Sequence, residues 1–114
     1  MRPVHVRRDD VDREPTRHGS SVLKQVFVRG GVLPDVTQVA VAVLDRTKDD
    51  VELHKHPTMW ECYFCIEGRA VYTVGDEQIE MRPGDFLAIP PDTMHNQRVI
   101  DETHTIFYWG ISVG

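Results

Sequence analysis

The sequence predicts an all-β chain, a single-domain jelly roll or small barrel, on three observations. Short runs rich in β-branched residues recur from residue 22 to the C-terminus, about nine of them. The breaks between them carry turn residues rather than helix caps. Apolar spacing of the helical kind is almost absent.

Residues 1–20 are polar and charge-mixed, with no period of either kind, and read as an N-terminal arm that is loosely ordered unless it pairs with a neighbour. Residues 21–114 form the barrel domain. Its first strand, 22–29, is stopped by Gly30, Gly31 and the Leu33-Pro34-Asp35 step, which break a continuing ladder. The second, 36–44, alternates Val36, Gln38, Ala40, Ala42 and Leu44 with Thr37, Val39, Val41 and Val43. Both faces are largely apolar, so this strand belongs inside a sheet. After the turn Thr47-Lys48-Asp49-Asp50 come strands at 51–54, 61–66, 69–74, 77–81, 86–89, 95–100 and 103–113. Gly75-Asp76 suits a two-residue hairpin, Arg82-Pro83-Gly84-Asp85 a Pro-Gly turn, and Pro90-Pro91-Asp92 a rigid bend.

With 114 residues, 40% apolar and 27% charged, the chain has room for one core and a composition far from that of disordered sequences. Five Arg face four acids in the arm, whereas the remainder has eight basic and fourteen acidic residues. That balance argues against a nucleic-acid partner. No apolar run is long enough to span a membrane and the N-terminus lacks a signal-peptide core, so a cytoplasmic protein is expected. Cys62 and Cys65 lie three apart in one strand and therefore point to opposite faces, which suits two ordinary buried thiols and not a redox or zinc pair.

The chemistry concentrates between residues 54 and 95. His54 and His56, two apart at a strand end, project their imidazoles to one face. Glu61 opens the next strand, and a hairpin would bring its carboxylate to the same point. His95 follows the stiff Pro90-Pro91 bend and is the candidate fourth ligand. Imidazole and carboxylate without thiolate suit one divalent transition metal ion, Fe first, with Zn, Mn, Ni or Co as alternatives, and argue against a structural zinc site.

These residues resemble the two motifs of the cupins, G-x5-H-x-H-x3,4-E-x6-G and G-x5-P-x-G-x2-H-x3-N. In HKHPTMWECYFCIEG, His54, His56, Glu61 and Gly68 match the first motif, with Lys48 at the leading glycine position. In GDFLAIPPDTMH, Gly84, Pro90 and His95 match the second, with Asp92 in place of glycine and Val99 in place of asparagine. The resemblance covers about residues 36–113 and implies a cupin jelly-roll barrel in which His54, His56, Glu61 and His95 hold the metal.

Further candidates follow from strand parity. Tyr63 shares the face of Glu61 and is a candidate for substrate binding or proton donation, so Glu61 and Tyr63 are the candidate catalytic residues. Gln97 shares the face of His95, and Gln38 an inward face with Ala40 and Ala42; buried amides need partners, which a substrate or an ordered water could supply. Trp60, with Met59, is expected to wall or lid the site. Phe107, Tyr108 and Trp109 read as core or interface, His5 and His18 as surface residues and His104 as a strand-edge residue.

The functional expectation is a metal-dependent enzyme acting on a small organic molecule, with an oxygenase first. A Lewis-acid isomerase, lyase or rearrangement enzyme is the alternative, and a non-catalytic sensor cupin is the second alternative. A homodimer is expected, because a small barrel with an unanchored arm and an apolar edge tends to pair with a twin.

Overall fold

The computed structural model describes residues 1–16, 19–46 and 53–114, of which residues 19–21 are described by their backbone alone. The expected strand at 51–54 and turn at 47–50 fall largely outside these residues, as do Lys48 and His18. Nine strands are present among the described residues: β1 Glu14–Thr16, β2 Gly19–Arg29, β3 Val36–Asp45, β4 Met59–Glu67, β5 Ala70–Val74, β6 Glu77–Met81, β7 Phe86–Ile89, β8 His95–Val99 and β9 Thr103–Ser112. The helical content among the described residues is one 3₁₀ turn at Arg8–Asp10.

The strands form two antiparallel sheets, one in the order β1-β2-β3-β9-β4-β7 and the other β6-β5-β8. Val22, Ala42, Leu44, Tyr63, Cys65 and Ile106 from the first meet Ala70, Tyr72 and Met81 from the second in one buried core. This is an all-β jelly roll. β3 lies between β2 and β9, as its two apolar faces predict.

The turns obey their residues. Gly84 takes φ +92 and the Asp85 amide donates to the Arg82 carbonyl at 2.9 Å, closing the Pro-Gly turn. Gly68 takes φ +70, and a Cβ there would run into the Thr103 carbonyl, so only glycine fits between β4 and β5.

Part of the arm is tied to the chain's own sheet. Glu14 and Pro15 pair with Lys24 and Leu23 of β2. The Gln25 amide donates to the carbonyls of Arg8 and Val11 at 3.1 and 2.8 Å, and Arg29 grips Glu14 through both carboxylate oxygens at 3.1 Å. No sequence period announces β1, because a three-residue edge strand is too short to show one.

His104 corrects its expectation as a strand-edge residue. It sits on β9 between β3 and β4 and is fully buried. Its Nδ1–H donates to the Gly68 carbonyl at 3.0 Å and its Nε2 lies 2.9 Å from the Tyr72 hydroxyl, which donates to it. Burial holds this imidazole below its ordinary pKa. Cys62 and Cys65 are buried free thiols on opposite faces of β4, and burial raises the pKa of both.

Candidate metal centre

Backbone pairing assembles the site from both sheets. His54 forms an isolated bridge with His95, exchanging amide-to-carbonyl bonds of 3.0 and 2.8 Å. The hairpin expected to join His54 to the strand of Glu61 is therefore not what brings them together. His54 is held against β8 in the smaller sheet, whereas Glu61 stands on β4 in the larger one. The ion site lies where the inner faces of the two sheets meet.

The Pro90-Pro91-Asp92 bend is pinned to the histidine pair by the Asp92 amide, which donates to the His56 carbonyl at 3.0 Å. Asp92 takes φ +60, the left-handed conformation that a motif glycine supplies without strain. Aspartate is among the few other residues that adopt it readily, so the substitution keeps the turn.

His54, His56, Glu61 and His95 each offer a donor atom, all within 4.8 Å of one another. That spacing is of the order an ion requires, since ligands about 2.1 Å from a common ion stand at most about 4.2 Å apart. His95 is fully buried, and its Nδ1–H donates to the Thr93 carbonyl at 2.8 Å. That bond fixes the tautomer and leaves the Nε2 lone pair aimed at the cluster.

Glu61 Oε2 lies 2.7 Å from His56 Nε2 and 3.3 Å from His95 Nε2. Neither approach has hydrogen-bond angles, and Glu61 Oε2 and His95 Nε2 are buried without a hydrogen-bond partner. Two lone-pair acceptors facing each other in a protein interior repel unless a cation lies between them. Burial pushes the Glu61 carboxyl up, but the His56 imidazole beside it outweighs this and holds it well below the usual carboxylate range. The carboxylate is thus ready to ligate. The donor set fits a divalent ion.

A cavity of about 210 Å³ opens from these ligands. His54, His56 and Glu61 line it, together with Tyr63, Gln97, Gln38 and Tyr108. Three of the four residues expected to meet a substrate therefore face the cavity. Trp60 does not, which corrects its expectation. It neighbours Glu61 on β4, so the pleat sends it to the opposite face, where it is exposed; Met59 lines the cavity instead.

Tyr63 is fully buried beside Glu61. Burial, with the Glu61 charge next, raises its phenol well above the ordinary value, so it is a donor and not a base. Lys24 and Tyr108 also line the cavity, a place the strand pattern alone does not assign them. The signal for Lys24 was present in Val22-Lys24-Val26, a lysine on an otherwise apolar inward face.

Residues 42–111 match a family model described as a cupin domain. An uncharacterized protein of Methanocaldococcus jannaschii is 31% identical over 97 residues, covering 83% of this chain and 74% of its own length. Quercetin 2,3-dioxygenase of Bacillus subtilis is 33% identical over 51 residues, 45% of this chain but 15% of that protein. Among solved structures, a protein of Thermotoga maritima described as a predicted oxalate decarboxylase superposes with a TM-score of 0.83 at 17% identity, covering 96% of this chain and 99% of its own. KdgF from a Halomonas species superposes with a TM-score of 0.78 at 15% identity, over 93% and 90% of the two chains.

Proposed function

The chain belongs to the cupin domain family, and we propose that it is a metal-dependent enzyme acting on a small organic metabolite at a three-histidine, one-carboxylate centre. The observation that carries this reading is the pair of buried, unbonded acceptors, Glu61 Oε2 and His95 Nε2, inside a four-donor cluster that opens onto a cavity.

His54, His56, Glu61 and His95 hold the ion. Four protein donors leave coordination positions free for a substrate oxygen or dioxygen, and a bound ion supplies Lewis acidity or, if it is iron, redox chemistry. The chain's own residues do the rest. Thr93 orients the His95 ring. Tyr63, buried beside Glu61, keeps its proton and is the donor available at the carboxylate. Val22, Leu44 and Ile106 line the remainder of the cavity and exclude water from the reacting centre.

Oxygenase chemistry with iron is the preferred form. The partial similarity to quercetin 2,3-dioxygenase supports it. The test is metal analysis of freshly purified protein, followed by oxygen uptake in the presence of candidate substrates. Iron with substrate-dependent uptake is expected. A redox-inert ion with turnover lacking oxygen demand would move the reading to Lewis-acid isomerisation or elimination, and stoichiometric metal without turnover to a sensor. His56→Ala and Glu61→Ala are expected to lower metal affinity by orders of magnitude, and retention of one ion per chain by both variants would overturn the centre.

The working unit is proposed to be a homodimer formed through the outer face of the six-stranded sheet. There the register sets Trp60 beside Ile111, Cys62 beside Trp109 and Phe64 beside Phe107 and Phe86. Trp60, Phe64, Phe86 and Ile111 are exposed, and the rings run on through Phe86–Trp109 and Phe107–Trp109 contacts at 6.0 and 5.3 Å. These paired residues carry no charge, so the same face of a second copy complements them. Sedimentation at micromolar concentration is expected to give a dimer; a clean monomer of about 13 kDa would refute it.

A further inference from the structure

The cavity has a second polar end, and its chemistry is of one kind. Lys24, on the inner face of β2, lines the same cavity as His54, His56 and Glu61. Its ammonium donates to Gln38 Oε1 at 3.1 Å. The Gln38 amide nitrogen in turn donates to the Tyr108 hydroxyl at 3.4 Å. Each member keeps a donor in reserve: the ammonium has three and spends one here, the amide nitrogen has two and spends one here, and the hydroxyl accepts while retaining its own proton. Burial, with the Glu61 charge next, pushes the Tyr108 phenol up to about 12, so that proton stays in place.

A cluster with spare donors recognises acceptors. Among the described residues Lys24 is also the sole lysine or arginine lining the cavity, and no described carboxylate pairs with it. The nearest acid by register is Glu14, its partner across β1 and β2, which is gripped through both oxygens by Arg29 at the exposed rim. A half-buried ammonium bonded to a neutral amide lacks the counter-charge that a low-dielectric site demands. At the opposite end, a divalent ion set against a single carboxylate leaves positive charge in excess as well.

The two ends open onto the same cavity. β3 and β9 lie between β2 and β4, which is three strand spacings, or about 14 Å along the curved sheet. Lys24 sits opposite Ala42 in the register, and Gly110 sits opposite Glu61, so small residues flank each end. The cavity volume corresponds to about seven water molecules, a space for a small molecule and not for a polymer.

We propose that Lys24, seated with Gln38 and Tyr108, is the anion-recognising residue of this cavity. Its ligand is a small organic acid whose carboxylate meets Lys24 while a second oxygen-bearing group reaches the ion held by the histidines. The second half of this assignment rests on the metal-centre reading; the first half stands on Lys24 alone.

The experiment measures binding of malonate, succinate and glutarate by titration calorimetry, with their diamides as uncharged controls. It uses wild type, Lys24→Met and Lys24→Arg, each in cobalt-loaded and metal-free form, with cobalt content determined in parallel. Wild type is expected to bind at least one diacid and to discriminate against its diamide. Lys24→Met is expected to weaken diacid binding roughly tenfold to a hundredfold, the range for a hydrogen bond to a charged group, with cobalt content unchanged. Lys24→Arg is expected to recover part of the loss.

Equal diacid affinity in wild type and Lys24→Met, or no diacid binding by wild type in either form at millimolar concentration, overturns the proposal. A failure of the metal centre looks different. Wild type then takes up no cobalt, while the Lys24 dependence of diacid binding persists in the metal-free arm.

Discussion

Tyr72→Phe deletes one oxygen atom from the floor beneath the cavity. Tyr72 and His104 are both fully buried, and the 2.9 Å bond between them satisfies His104 Nε2. The opposite ring nitrogen is committed to the Gly68 carbonyl, so His104 cannot turn to find another partner. Phenylalanine leaves Nε2 as a buried acceptor with nothing to accept, at a cost of about 1–3 kcal/mol. For a chain of 114 residues the unfolding entropy is about 0.24 kcal/mol per kelvin, which converts that cost to a fall in Tm of about 4–12 °C. Scanning calorimetry with urea unfolding as a second measure reads it directly. The double variant Tyr72→Phe/His104→Leu is expected to fall short of the sum of its two singles, because the orphan that Tyr72→Phe creates is then gone. A Tm within about 2 °C of wild type for Tyr72→Phe, or strict additivity in the cycle, would show that the bond does not stabilise the floor.

Gly68→Ala should destabilise the fold by about 2 kcal/mol or more, since it combines a left-handed φ with a collision against the Thr103 carbonyl; near-normal urea midpoints would contradict the geometry. Because burial depresses the His104 pKa in the folded chain, the unfolded chain binds more protons below about pH 6.5, and stability should fall as the pH drops through that value. His104→Gln should flatten that part of the pH profile of the metal-free protein, and an unchanged profile would refute the assignment. Metal loading should stabilise the folded state by about 2.7 kcal/mol when the free ion is a hundredfold above Kd, about 11 °C in Tm, reversed by chelation; a Tm indifferent to chelator would count against the four-residue centre.

Much of the site was legible because it depends on local period. His54 and His56 stand two apart and reach the same cluster, Tyr63 follows Glu61 because a strand repeats every two residues, and Asp92 occupies a glycine position because aspartate tolerates the same backbone. The features that the sequence hides have the opposite character. Trp60 is near the ligands in sequence, yet one residue of displacement on a pleated strand reverses the face. His104 has no ligand near it in the chain; its partners, Tyr72 and Gly68, are 32 and 36 residues away.

The sequence by itself determined most of the strands, their turns and the four residues that gather as donors, all of which follow from spacings of a few residues. Tertiary structure decided how the donors meet. It joined His54 to His95 by a backbone bridge, faced Glu61 toward them from the other sheet, and set Lys24 across the cavity. Those relations come from pairings between strands remote in the chain, and a residue's own neighbours carry no record of which strand will lie beside it.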